Sequence, residues 1–578
     1  MSAVDAGPAA RPGMLRLHRL HRLRHYAAET WIMLAGIAAM CAGLAVFIAL
    51  PLYAMLSKSF EGEDGGFVGL ANYREYVASA GLVQSIGNSL TIAILTTLIA
   101  STLAFVFAYG LTRSCMPCKR AFRAIATIPI LAPSLLPGIS LVYLFGNQGL
   151  IRGLLMGESI YGPIGIMIGM VFYIFPHVLM IMVTALSTTD ARLYEAAQAL
   201  GAGRLRMFLT VTLPGALYGV ISAAIVAFTL TITDFGVPKV IGGQYNMLAT
   251  DVYKQVVGQQ NFSMGAVVGL VLLLPAAIAF AVDRWVRRKQ VALLSARAVP
   301  FHPKPEPVRD GLLLAFCVLM SVFLIGILGV AAFASFVTFW PYDLSLSLVH
   351  YDFDAVDPNG WSSFTNSLVM AGLTAVFGTV IIFLGAYLVE KGRGFPLVRG
   401  LLHMLAMVPM AVPGLVLGLA YVFFFAPQAN PLNGLYGTMA ILVICTIVHF
   451  YTVSHLTLLT ALKSIDKEFE AVSASLKVPF YKTMIRVHVP VSLPAISEVM
   501  MYLFVNAMTT VSAMVFLYAP DTKLASIAVL NMDDVGDQAP AAAMAMVIVA
   551  TSITVRLLHG LLMRSIDARS QAWRTPDR

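Results

Sequence analysis

The chain has 578 residues, 59% of them hydrophobic and only 12% charged, with a formal net charge of +9. That balance excludes a soluble globular protein and points to an all-α, polytopic membrane protein. The basic surplus reads first as a topology signal, and nothing in it supports nucleic-acid binding.

Residues 1–30 form a basic tail in which His18-Arg19-Leu20-His21-Arg22-Leu23-Arg24-His25 reads as a cytosolic anchor for the first span, with attraction to anionic membrane lipids as the alternative. Apolar runs of about 20 residues, enough to cross a hydrocarbon core, then follow along the whole chain. They lie at 31–56, 88–112, 124–146, 162–186, 216–236 and 264–283, and again at 312–338, 365–389, 400–426, 436–461, 495–518 and 540–562, twelve in all. The first run is too long for the apolar region of a cleavable signal peptide. Of the 38 Lys and Arg residues, only Lys58, Arg74, Arg152, Lys239, Lys254 and Lys523 fall on the outer side of this arrangement. Both ends are therefore expected in the cytosol, since positively charged loops resist translocation.

Six spans occupy residues 31–283 and six occupy 311–562, with cores expected from about 84 and about 362, and a cytosolic tail follows at 563–578. The intervening segment 284–310 is basic and carries Pro300, Pro303, Pro305 and Pro307, the composition of an extended cytosolic linker. The halves repeat one another. Asn88-Ser89-Leu90 returns as Asn366-Ser367-Leu368, and Pro133 with Pro137-Gly138 matches Pro409 with Pro413-Gly414 at a spacing of 276. This reads as a tandem duplication with both halves in the same orientation. Prolines within spans remove helical hydrogen bonds, so kinked helices near a central axis are expected, with simple packing adjustment as the alternative.

The most specific repeat is a loop between the fourth and fifth spans of each half. The first copy runs from Asp190 through Glu195-Ala196-Ala197 and Gly201 to Leu213-Pro214. Adjacent alanines favour a slim helix, an early carboxylate suits its dipole, and a glycine can end it in the left-handed conformation. Such a helix can insert into a cleft on another protein. The second copy, 276 residues on, replaces Glu195 by Ala471, Ala196 by Val472, Ala197 by Ser473 and Gly201 by Lys477, while Leu476 and Pro490 keep the places of Leu200 and Pro214. Glu470 lies one residue early as a possible substitute acid, and Pro479 is expected to stop the second helix.

The pattern of Glu195-Ala196-Ala197, Gly201 and Leu213-Pro214 resembles the coupling loop of type I ABC importer permeases. The resemblance covers both halves and implies a MetI-like fold in each. It also implies docking of the two loops on two copies of a cytosolic ABC ATPase, Glu195 meeting a basic residue there, and delivery of solute by a periplasmic binding protein at the bacterial inner membrane. No Gly-x-x-x-x-Gly-Lys-Ser/Thr loop occurs, so nucleotide hydrolysis is left to the partner. An ion-coupled secondary transporter is the alternative class, but it would bury charged relay residues in several spans.

Thr231, Thr233 and Asp234, with Asn506, Thr509, Thr510 and Ser512 in the corresponding part of the second half, are the polar residues expected to line a passage for a small hydrophilic solute. Asp234 reads equally as a helix-end residue at the outer surface. No catalytic or metal set and no cofactor is expected. Cys115-Met-Pro-Cys118 stands alone in a basic turn, and His177, His449 and His455 read as packing residues. For cargo, the second half, with Asn506-Ala-Met-Thr-Thr-Val-Ser512, Leu517-Tyr-Ala-Pro-Asp521 and Val529-Leu-Asn-Met-Asp-Asp534, resembles 2-aminoethylphosphonate permeases. Ferric iron and thiamine are the alternatives within the same class.

Overall fold

In hydrocarbon the backbone must satisfy its own polar groups, so apolar stretches of this length become helices. A computed structural model of the chain describes residues 29–62, 64–291, 299, 301–392 and 394–570. The basic run at 18–25 lies outside the described residues. The first half comprises α1 (Glu29–Lys58), α2 (Ala80–Arg113), α3 (Lys119–Leu131), α4 (Leu135–Phe145), α5 (Pro163–Ser187), α6 (Ala191–Ala199), α7 (Arg204–Thr233), α8 (Gly236–Ile241), α9 (Leu248–Tyr253) and α10 (Phe262–Val291). After α11 (Pro307–Phe336) the second half continues with α12 (Gly360–Glu390), α13 (Pro396–Ala411), α14 (Gly414–Phe425), α15 (Met439–His449), α16 (Tyr451–Lys463), α17 (Glu468–Ser475), α18 (Phe480–Val491), α19 (Leu493–Thr509), α20 (Ala525–Val535) and α21 (Gln538–Ser570). Among the described residues, eight helices are long and apolar enough to cross a membrane, and twelve crossings result if each bent pair counts as one. A short hairpin, β1 (Val337–Phe339) and β2 (Asp343–Leu346), is the small departure from an all-helical chain. Its turn residue Trp340 donates from Nε1 to the carbonyl of Gln148 at 3.0 Å.

The span prolines do more than kink. α3 meets α4 at 103° and α13 meets α14 at 111°. Pro129 and Pro409 each lie in the tight 3-10 turn before the bend, while Pro133 and Pro413 sit in the bend itself. The structural partner of Pro133 is therefore Pro413, at a spacing of 280, and not Pro409 as the spacing of 276 suggested. Close approaches agree: Gly236 abuts Ser134 in the first half, and Gly414 abuts Ser512 in the second. Prolines recur every four residues at 129, 133 and 137, so the sequence admits two registers one turn apart.

Asn88-Ser89 and Asn366-Ser367 recur because they perform one task twice. The Asn88 amide donates to the carbonyl of Asn246 at 3.0 Å and the Ser89 hydroxyl accepts from the N–H of Leu248 at 2.8 Å. Asn366 donates to the carbonyls of Asp521 and Lys523, and Ser367 accepts from the N–H of Ala525 at 2.8 Å. Each pair satisfies the orphaned backbone groups at the entry to α9 or α20.

The first span of each half packs on the other half. On α1, the Phe47 carbonyl accepts from the Tyr421 hydroxyl at 2.8 Å and its ring stacks on Phe425 at 5.9 Å. Cys317 of α11 is buried against Gly110 of α2, within a core cluster to which α11 also gives Met320, Leu324 and Ile327 and whose other buried members come from the first half. The two halves are thus interlocked.

Candidate functional site: the paired loops and the passage

α6 begins where Asp190 accepts from the Arg192 N–H at 3.1 Å, and α17 begins where Asp466 accepts from the Glu468 N–H at 3.0 Å. That backbone contact, with the Arg192 side chain and the Val299 N–H, holds the Asp190 carboxyl below the usual carboxylate range. α6 stops at Gly201, which adopts φ +70° while Ala202 N–H returns to the Ala197 carbonyl. α17 stops at Lys477, which adopts the same left-handed conformation at φ +55°, with Val478 N–H returning to Ser473. Pro479 was expected to be the stop; it follows with φ −59° and opens the next helix. The left-handed turn is what ends both helices, although only the first copy has the residue that adopts it without strain.

Pro214 and Pro490 each follow a five-residue π turn, Phe208–Thr212 and Met484–His488 respectively. A proline without an N–H leaves a carbonyl one turn earlier unpaired, and the wider turn accommodates it. In the second half the chain then bends by 76° between α18 and α19, where Pro494 adds a further break.

Glu195 and Ala196 are exposed and Ala197 is half-buried. Beside them Leu193, Leu200, Leu205 and Leu209 are exposed, matched in register by Phe469, Leu476, Tyr481 and Ile485, also exposed. A duplicated exposed apolar surface on two polar loops marks a contact with a partner protein or with the membrane surface.

Glu470 does something else. Its Oε1 accepts from Lys391 Nζ at 2.6 Å and lies 3.0 Å from His488 Nε2, and both partners are almost wholly buried. Burial alone would raise its pKa, but the hydrogen bonds from Lys391 and His488 prevail and hold it below the ordinary glutamate range. The equivalent place in the first half belongs to Tyr194, whose hydroxyl donates to Thr212 at 2.9 Å and whose ring lies 5.0 Å from the Arg113 guanidinium. Arg113, buried, also donates to the Leu186 carbonyl at 2.8 Å. Each loop is thus tied to the end of the second span of its half and to the π turn that follows. None of Arg113, Thr212, Lys391 and His488 stood out in the sequence, although the repeat aligns them.

At the other end of α7, Thr231 and Thr233 donate to their own helix, to Ala227 and Thr229. Asp234 follows directly and accepts from the Val237 N–H at 2.9 Å, capping α8. It is a helix-end residue as one reading held, but buried rather than at the surface. Asn506 and Thr509 donate to Tyr502 and Val505, the Thr510 carbonyl accepts from Ser526, and Ser512 lies against Gly414. At this end Lys239 of α8 forms an ion pair of 2.8 Å with Asp534 of α20, joining the two halves. No cluster of three or more His, Cys, Asp or Glu fit to hold a metal occurs among the described residues.

Interlocked halves, paired exposed loops and polar helix ends between them fit a two-half membrane transport component. Residues 100–291 and 382–568 match the family described as binding-protein-dependent transport system inner membrane component, and the chain belongs to it. It is a multi-pass permease subunit of an ABC importer, which works with an ATPase and a binding protein and has no ATPase activity of its own. It is similar to the ferric transport system permease protein FbpB of Actinobacillus pleuropneumoniae, 26% identical over 530 residues, covering 88% of this chain and 75% of that one. The putative ferric transport system permease protein FbpB 1 of Haemophilus influenzae is 26% identical over 500 residues, 83% of this chain and 77% of the relative. The putative 2-aminoethylphosphonate transport system permease protein PhnU of Salmonella typhi is 25% identical over 251 residues, 42% of this chain and 85% of the relative.

Proposed function

We propose that this chain is the fused permease of a ferric iron importer, with 31–283 and 311–562 as its two halves. The observation that carries the cargo is likeness to permeases named for ferric transport across both halves, over 530 residues in one case. In this reading both termini and both loops face the cytosol, and α6 and α17 each dock on one of two ATPase copies. The exposed carboxylate of Glu195, next to Ala196 and Ala197 and before Gly201, meets a basic residue of the first; Ala471, Leu476 and Lys477 contact the second. Pro214 and Pro490 set the angle at which each loop joins its span. Thr231, Thr233, Asp234, Asn506, Thr509, Thr510 and Ser512 line the route opened when the halves rock between outward and inward access.

Uptake of radiolabelled ferric iron by cells with and without this chain, its ATPase and binding protein present, tests the cargo. Uptake lost on deletion and insensitive to excess 2-aminoethylphosphonate is the expected result. The second reading is a 2-aminoethylphosphonate importer, favoured by likeness to the Salmonella typhi permease over 251 residues. It replaces the first if labelled phosphonate uptake, and not iron uptake, depends on the chain.

A further inference from the structure

We propose that the end of the linker between the halves, Val299 with residues 301–306, is a strap that fixes α6 in place, with Phe301 as its positioning residue. The Ala191 N–H donates to the Val299 carbonyl at 2.9 Å, and the Val299 N–H donates to Asp190 at 3.3 Å, so the strap pairs with the chain at the start of α6. Two residues on, the Phe301 ring lies 4.5 Å from Tyr194 and 4.4 Å from the Arg113 guanidinium. A buried guanidinium stacked on two aromatic rings is a strong and directional contact. Cys115 donates to the Pro303 carbonyl at 3.3 Å, and Glu306 forms an ion pair with Arg204, which opens the helix after α6. Pro307 then begins α11, so residues 301–306 stand directly before the first span of the second half.

A helix of nine residues is marginal on its own and takes its position from what it is packed against. The strap grips α6 at its start, on its buried Tyr194 face and just beyond its end. Displacement of α6 therefore pulls on α11, which lies against α2 and α4 of the first half and α21 of the second. The linker becomes a working part of the first loop and not a tether. Its consequence for transport rests on α6 being the ATPase-docking helix.

Hydrogen exchange of the purified full-length chain tests the strap without the partner. In Phe301→Ala the amides of Ala191–Ala199 should exchange about tenfold faster, with Glu468–Ser475 unchanged, and Phe301→Trp should restore protection. Should Phe301→Ala fail to insert, Glu306→Arg serves instead; Glu306→Arg with Arg204→Glu should recover the original rate. Unchanged exchange at α6, or equal loosening of both loops, overturns the strap. In the assembled transporter, Phe301→Ala should raise ATP turnover in the absence of binding protein. If Glu195→Ala leaves ATPase binding intact, the docking reading fails while the exchange result still decides the strap.

Discussion

Glu470 occupies in the second loop the place that Tyr194 occupies in the first, and each holds its loop to a buried cation, Lys391 in one half and Arg113 in the other. The acid one residue before Ala471 is therefore engaged inside its own half, whereas Glu195 is exposed. A carboxylate suits an ammonium, which is a compact charge with rotatable donors; a ring suits a planar guanidinium. The two halves use different chemistry for the same contact.

Substitution at the two acids should consequently have opposite signatures. Glu470→Ala leaves Lys391 buried without its carboxylate and should lower stability by about 1–3 kcal/mol. Glu195→Ala, on an exposed side chain, should leave stability within about 0.5 kcal/mol and instead weaken binding to the ATPase. Thermal denaturation and co-purification of the two variants check this, and a Glu195 variant that melts early while still binding would refute it.

Stability should also fall in acid through Glu470. Its carboxyl is held below the ordinary glutamate range, so the folded state favours the charged form. The stabilisation is present above the unfolded-state pKa and is lost as pH falls through the lower folded-state pKa. Denaturation of wild type and Glu470→Gln across the acid range measures it. The difference between them should shrink as pH drops below the carboxylate range, and a constant difference would count against the ion pair.

Lys477 holds φ +55° where Gly201 holds +70°. A lysine in this region carries about 1 kcal/mol of backbone strain that a glycine avoids. Lys477→Gly should therefore raise stability by a fraction of that amount, since glycine also loses more chain entropy on folding, whereas Gly201→Ala should lower it by about 1 kcal/mol. Opposite shifts in melting temperature are the expected readout.

The helical membrane architecture, the duplication and the two loops were legible because lipid demands apolar helices and because the repeat preserves residue types at fixed spacing. The proline register was not, since prolines at 129, 133 and 137 let the copies align one turn apart, and only contacts such as Gly236 on Ser134 choose between them. The exchange of α1 and α11 between halves was hidden for another reason: an apolar span carries no mark of which neighbour covers it. Asp234 was readable either as a residue of the passage or as a helix-end residue at the surface, and the structure makes it a buried residue at a helix end. Phe301 was invisible within a proline-rich basic segment, because a linker's contacts depend on what its flanking spans bring near it. Tyr194 could have been found from the repeat alone, had Arg113 with Lys391 and Thr212 with His488 been set beside the pair Tyr194 and Glu470.

The ion pair of Lys239 with Asp534 joins the halves at the end remote from the loops, with Lys239 also 5.0 Å from the Tyr253 ring. A link between two bodies that must separate to admit solute favours the joined state by its own free energy. Both side chains are partly exposed, so that amount is about 1 kcal/mol or less, a shift of up to about fivefold in the equilibrium. Lys239→Met should accordingly raise ATP turnover without binding protein by a few-fold, and Asp534→Asn should do the same. Exchanging the charges, as Lys239→Asp with Asp534→Lys, should bring turnover back toward wild type, because the link depends on opposite charge and not on which half supplies which. Equal basal turnover in wild type and both single variants would show that this pair does not hold the halves together.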